Sequence, residues 1–194
     1  FVDIENRKCL VVGGGNLAAE KARLLLNYGA MVTIVCPKPG REIGLLKDIY
    51  PKCSIKIRNF DADDLRGVVI VVGATADLSL ASMISNLARA VSIPVNIVDN
   101  KQLSTFSIPA ILDRGSIQIG ISSGGASPSL VTRIKDQLEL LLPHTLGTLA
   151  DLSSKMRPLV KEILPDIESR RKFWRIFSNF SLLGVIGCIN DLLR

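Results

Sequence analysis

The stretch LVVGGGNLAAEKA, from Leu10 to Ala22, carries Gly13, Gly15 and Ala18 in the spacing G-x-G-x-x-A between an apolar run and a helical one. That order suits a dinucleotide. The first glycine permits a tight turn, the second lets a pyrophosphate approach the backbone, and the small third residue lets the helix pack closely on the strand. The phosphates would lie on free amides at the positive end of the helix. The same glycines would also serve an ordinary structural corner. A carboxylate normally grips the adenosine ribose at the end of the second strand, but here Cys36, Pro37 and Lys38 occupy that place. Lys38 could meet a 2′-phosphate, so the turn leaves NAD and NADP both open.

Two further groups stand downstream. Asp99 closes the apolar run VNIVD, at the carboxyl edge of a strand, where open α/β sheets hold their ligands; its plainer role is to cap the next turn. Ser122, Ser123, Gly124 and Gly125 offer hydroxyls and unobstructed amides to a carboxylate, and equally form a loop ahead of a capped helix. The residues argue against serine nucleophile chemistry, because the one histidine, His144, lies in the loop-like LPHTLG. No second histidine or cysteine accompanies it at ligand spacing, so no metal site is expected.

The elements that must position these groups read as an α/β fold. KCLVV from Lys8 is the first strand, Asn16 to Tyr28 a helix ended by Gly29, and MVTIVC from Met31 the second strand. Arg41 to Ile49 is a short helix, SIKIR from Ser54 a half-exposed strand, and VVIVVGAT from Val68 a central strand covered on both faces. Asp77 caps a helix with Leu80, Ile84, Leu87 and Ala88 on one side, and VNIVD is the strand after it. FSIPAILDRGSIQIGIS reads as a hairpin turning at Asp113, Arg114 and Gly115. Ser127 and Pro128 then start a helix with Leu130, Ile134, Leu138 and Leu141 on one stripe, stopped by Pro143. Everything from about Leu146 to Arg194 is helical. The divisions fall at 1–110, 111–145 and 146–194.

Composition bounds the partners. The chain has 194 residues, of which 47% are apolar and 5% aromatic, enough for a substantial core. Its longest apolar runs, such as Val68 to Val72, are too short to cross a bilayer. Cys9, Cys36, Cys53 and Cys188 are widely spaced without a CxxC pair, as expected of buried thiols in a reducing cytoplasm. No signal-peptide pattern opens the chain, and the absence of an initiator Met leads us to expect a few residues ahead of Phe1. The net charge of +6 invites a polyanion. Its basic residues are spread along the chain, which argues against nucleic acid, with one local cluster at Arg170, Arg171, Lys172 and Arg175. That cluster is a solvated helix face or helps hold a small molecule rich in carboxylates.

VVGGGNLAAEKARLLLNYGAMVTIV, GATAD, VNIVDN, FSIPAILDRG, ISSGGASPSL, LELLLPHTLG and RRKFW occur in this order over nearly the whole chain. The order closely resembles the precorrin-2 dehydrogenase and sirohydrochlorin ferrochelatase family, that is, the siroheme synthase N-terminal region and its stand-alone relatives. The resemblance implies a homodimer with a Rossmann-type domain, a central dimerisation region and a helical C-terminal domain. It implies NAD-dependent dehydrogenation of precorrin-2 to sirohydrochlorin, and in many members insertion of Fe2+ to give siroheme. By the resemblance the cofactor lies on Gly15, Asn16 and Leu17 and on Pro37 and Lys38, and the missing ribose carboxylate is common in the family. Asp99 is then the catalytic residue, accepting a proton from the macrocycle, and Ser123, with Gly124 beside it, faces the tetrapyrrole. Eight substrate carboxylates would match the basic surplus, with Lys101, Arg114, Arg133 and the tail cluster as candidates. Two alternatives stay open: a dehydrogenase without chelatase activity, and a non-catalytic nucleotide-sensing module. The latter would have no use for VNIVD and SSGGASP together.

Overall fold

The computed structural model describes residues 1–178, which separate into two compact units, Phe1–Ile108 and a second beginning at Pro109. In the first unit, β1 (Lys8–Val12), α1 (Asn16–Asn27), β2 (Met31–Val35), α2 (Arg41–Ile49) and β3 (Cys53–Lys56) come first. A 3-10 turn (Ala62–Leu65), β4 (Val68–Gly73), α3 (Leu78–Ala90) and β5 (Val95–Ile97) follow. The five strands form one parallel sheet in the order β3-β2-β1-β4-β5. The chain thus winds outward from β1 in one direction, returns, and winds out in the other, which makes the β1/β4 boundary the switch point of a doubly wound sheet.

Uniformly apolar strands follow from that winding. Along β1, Cys9 and Val11 face the cluster that receives Ala18, Ala22 and Leu25 of α1 and Ile43 and Leu46 of α2. Leu10 and Val12 face the opposite cluster, which receives Ala81, Ile84 and Ala88 of α3 and Leu65 of the 3-10 turn. With both faces covered, period-two alternation of polarity disappears. Edge strand β3 keeps alternation, with Cys53 buried and Ser54 and Lys56 exposed. Helix α1 stops as expected: Gly29 takes φ +78° and donates to the carbonyl of Leu26 at 2.9 Å, and Ala30 donates to Leu25 at 3.2 Å. Asp77 Oδ1 accepts from the amides of Ser79 and Leu80 at 2.8 and 3.2 Å, starting α3.

The 3-10 turn, absent from the sequence reading, is built on a buried charge. The Asp64 carboxylate accepts from Arg58 at 2.6 and 2.7 Å, from Lys56 at 2.8 Å and from the amide of Asp61 at 3.1 Å. Burial pushes this carboxyl up, but the hydrogen bonds from Arg58, Lys56 and the Asp61 amide outweigh it and hold it down at about 2. Cys9, Cys36 and Cys53 are buried free thiols, and burial raises Cys9 to about 11; Cys188 lies outside the described residues.

The second unit pairs β6 (Ala110–Arg114) with β7 (Ile117–Ile121) antiparallel, followed by α4 (Pro128–Leu141) and α5 (Thr145–Ile163). Helix resumes over 167–178, and the rest of the expected helical tail lies outside the described residues. The hairpin is tighter than its sequence implied. Asp113 and Arg114 belong to β6, Arg114 pairs with Ile117, and only Gly115 and Ser116 turn the chain. Gly115, at φ +70°, takes the first central position, which a two-residue turn of the II′ type reserves for glycine. Helix α4 buries none of its residues: Leu130, Ile134 and Leu141 are 53%, 37% and 63% exposed. No described helix is long and apolar enough to cross a membrane.

Candidate functional site

The carboxyl ends of β1, β2 and β4 open into a cavity of about 790 Å³. Gly13, Gly14 and Gly15 line it, with Cys36, Pro37 and Lys38 from the end of β2, Asn59 and Phe60 beyond β3, and Ala74 to Asp77 beyond β4. Each glycine has its own reason. Gly13 has φ +145°, and a Cβ there would overlap the carbonyl oxygen of Ala74 and lie 3.3 Å from Ala18 Cβ. On Gly14 a Cβ would overlap the Lys38 carbonyl, and the Gly14 carbonyl accepts from the Gly40 amide at 2.8 Å, tying the loop after β2 to the turn. Gly15 differs: nothing lies within 4 Å of the place its Cβ would occupy. It caps α1 with no side-chain bond, and no acidic residue occupies the first helical turn. The positive end of α1 is therefore left for an anion approaching at Gly15.

Gly13, Gly15, Pro37 and Lys38 thus sit where the sequence placed them, in the cavity wall. Asn16 and Leu17 do not line it; they are exposed on the first turn of α1, Leu17 at 49%. Asp77 is the one acidic residue of the lining, and its carboxylate is occupied in capping α3. The sequence reading missed Asn59, Phe60, Thr75 and Met83 as cavity residues. The signal for Thr75 was there, because GAT closes β4 and leads out of it much as GGG leads out of β1. Asn59 and Phe60 had none, since only the pairing of β3 with β2 brings them alongside.

Asp99 lies two residues past the end of β5, which stops at Ile97 rather than running to the aspartate as expected. The Val98 amide donates to the Gly73 carbonyl at 2.9 Å, and the Asn100 amide closes a tight turn on Ile97 at 3.1 Å. Asp99 takes φ +59° in that turn, a left-handed conformation that aspartate tolerates better than most residues. Its side chain is exposed at the same sheet edge as the cavity, since Gly73 directly precedes the lining residue Ala74. Lys101, also exposed, follows two residues later.

Ser123, Gly124 and Arg114 belong to the second unit. Ser123 Oγ accepts from the Ser127 amide at 2.9 Å, and the Gly124 amide donates to Ser122 Oγ at 3.1 Å. Gly124 and Gly125 take φ +62° and +88° with open space where side chains would be, so the loop presents bare backbone. Arg114 is engaged within its own unit. The residue is 7% exposed, and its guanidinium donates to the carbonyls of Leu142, Asp113 and Glu139 at 2.9, 3.0 and 3.1 Å. Helix α4 leaves its last carbonyls unsatisfied, and Arg114 fills them from β6 as a structural cap. Among the described residues no group of histidine, cysteine and acidic side chains is gathered to hold a metal ion.

Residues 1–110 match the family model described as "Putative NAD(P)-binding", 114–140 match "Sirohaem biosynthesis protein central", and 145–180 match "Sirohaem synthase dimerisation region". The chain belongs to the NAD(P)-binding family of the first model, followed by two regions that match models of sirohaem synthesis proteins. Among its relatives, the siroheme synthase of Nitrosomonas eutropha is 41% identical over 174 residues, 90% of this chain and 37% of that protein. Siroheme synthase 2 of Aeromonas hydrophila is 38% identical over 96% of this chain and 39% of its own length. The chain therefore spans less than two fifths of these curated family members. The solved structure of SirC, precorrin-2 dehydrogenase, superposes with a TM-score of 0.71 at 25% identity, covering 92% of this chain and 97% of that one. The Rossmann-type sheet with helices after it is thus a fold shared with that solved dehydrogenase.

The residues present fit the dinucleotide this family binds. Gly15 leaves room against the backbone, the open end of α1 suits a pyrophosphate, and Lys38 replaces the ribose carboxylate at the end of β2.

Proposed function

We propose that this chain carries the NAD-dependent dehydrogenation of precorrin-2 to sirohydrochlorin. The observation that supports it most is the shared sheet edge: the Asp99 turn is hydrogen-bonded through Val98 to Gly73, next to the wall of the glycine-lined cavity. A general base placed beside a dinucleotide pocket suits removal of hydrogen from a carbon acid. When bound, NAD supplies the two-electron acceptor. The chain's own residues hold it by the amides at Gly15, Asn16 and Leu17 and by the loop at Pro37 and Lys38. Asp99 accepts the proton released from the macrocycle. Ser123 still has its hydroxyl proton to donate while accepting from Ser127, and with the Gly124 backbone it binds a substrate carboxylate. Lys101 supplies a positive charge near Asp99 in sequence.

We further infer a three-part organisation at 1–110, 111–145 and 146–194, in which the exposed apolar stripe of α4 joins two copies. Iron insertion is a second activity of the same acid, with Fe2+ as substrate and Asp99 receiving the pyrrole protons. Mixing the protein with precorrin-2 and NAD and following the sirohydrochlorin absorbance tests the first activity; authentic substrate left unchanged would refute it. Sirohydrochlorin with Fe2+ or Co2+ and no NAD tests the second. The Asp99→Ala variant is expected to fold and bind NAD without turnover, and persistent turnover would remove Asp99 from the mechanism.

A further inference from the structure

We propose that Ser104 is a positioning residue for the reaction, holding the turn that carries Asp99 in its working conformation. The inference rests on Asp99 being the catalytic carboxylate. Strand β5 has three residues and forms the margin of the sheet, and immediately beyond it the chain enters a left-handed conformation at Asp99, φ +59°. Such a conformation in a non-glycine residue persists only where its surroundings impose it. Both flanks of Asp99 are gripped by one hydroxyl. Ser104 Oγ accepts from the Ile97 amide at 2.9 Å and lies 2.7 Å from the Asn100 carbonyl oxygen and 3.2 Å from that of Ile97. With one proton to give, it donates to Asn100 as the nearer acceptor while Ile97 N–H donates to it. The two ends of the four-residue turn are therefore fastened to one atom.

That atom is itself anchored. The Leu103 carbonyl accepts from Ser85 Oγ of α3 at 2.7 Å, and the Arg89 guanidinium donates to the carbonyls of Gln102 and Ser104 at 3.2 Å each. Asn100 Oδ1 accepts from the Leu103 amide at 3.1 Å. On the far side, Thr105 Oγ1 accepts from the Val95 amide at 2.8 Å, and Asn96 donates to the Phe106 carbonyl at 3.0 Å. The segment from residue 102 to 106 is thus a strap held to α3 and β5 by several bonds; the Leu103 amide reaches the Asn100 side chain, and Ser104 alone fastens both ends of the Asp99 turn. Removing the Ser104 hydroxyl leaves the strap attached and takes from the turn the one group that ties its two ends together, while the bonds from Leu103 to Asn100 and from Val98 to Gly73 remain.

The arrangement separates a positioning role from a merely structural one. Ser104→Ala is expected to lower kcat on the order of ten- to a hundred-fold, as loss of placement of a catalytic group does, with KM for NAD unchanged. Ser104→Thr, which keeps the hydroxyl, is expected to restore kcat. Thr105→Val removes another of the strap's clasps without touching the turn, and is expected to lower thermal stability while keeping kcat. If Ser104→Ala does not fold, Ser104→Cys keeps the volume with weaker hydrogen bonding, and its kcat decides the same point. The proposal is overturned if the Ser104 variant keeps kcat within about two-fold of the parent, or if Thr105→Val loses kcat equally. Asp99→Ala runs alongside: an inactive Asp99→Ala with a fully active Ser104→Ala ends the positioning role alone, whereas an active Asp99→Ala ends the Asp99 reading and this inference with it.

Discussion

A Cβ on Gly13 would overlap the carbonyl oxygen of Ala74, so the β1–α1 turn and the end of β4 meet backbone to backbone in the cavity wall. Gly13→Ala must both leave φ +145° and part the two segments. The expected loss of stability is about 2–4 kcal/mol, read as a lower urea midpoint. Gly15→Ala is the contrast, because its backbone at φ −92° suits any residue and no neighbour lies within 4 Å. It should melt like the parent and bind NAD roughly ten-fold more weakly by calorimetry. Unchanged affinity would mean the phosphates do not approach Gly15.

Asp64 makes stability depend on acid. Its folded carboxyl is held at about 2, below the ordinary value of 3.8, so it contributes stability that is fully present above pH 4 and is lost as pH falls toward 2. The contribution is about 2 kcal/mol. Asp64→Asn should lower the urea midpoint at pH 7 and flatten its fall between pH 4 and pH 2. A variant with the parent's acid profile would show that the carboxylate is not what couples the 3-10 turn to pH.

Arg114→Ala strips three carbonyl acceptors of their donor in a buried place. The expected cost is about 2–4 kcal/mol, seen in urea unfolding, with KM for the tetrapyrrole close to the parent's in whatever fraction remains folded. A rise in KM at unchanged stability would return Arg114 to the substrate site.

Ile134→Glu places a charge on the exposed face of α4 without entering any core, since that helix buries none of its residues. Light scattering should report half the parent's mass with the circular dichroism unchanged. An unaltered mass would move the proposed contact between copies to another surface.

The first unit was largely legible from its sequence because its signals are local. Gly29 and Asp77 terminate and start helices by their own chemistry, and apolar runs such as Val68 to Val72 mark strands covered twice. The second unit was less legible where spatial partners decide. Arg114 sits in a hairpin sequence full of turn formers, yet the unfilled carbonyls of α4, 25 and 28 residues away, draw it into a strand and bury it. The stripe Leu130, Ile134, Leu138 and Leu141 gave the period of α4 but not what covers it. In the site, Gly13, Gly15, Pro37 and Lys38 were readable from the turn and the end of β2, while Asn59 and Phe60 depend on strand order. The strap at residues 102–106 has no periodicity of its own, for side chains and a single backbone bond from Thr105 to Val95, rather than a ladder, join it to β5.

That strap bears on the life of the protein before it meets any ligand. A sheet margin with bare amides recruits strands from other molecules, and β5 would present Val95 and Ile97 in that way. Their amides are instead taken by the hydroxyls of Thr105 and Ser104. The two hydroxyls that hold the strap to β5 therefore also close that side of the sheet to an added strand.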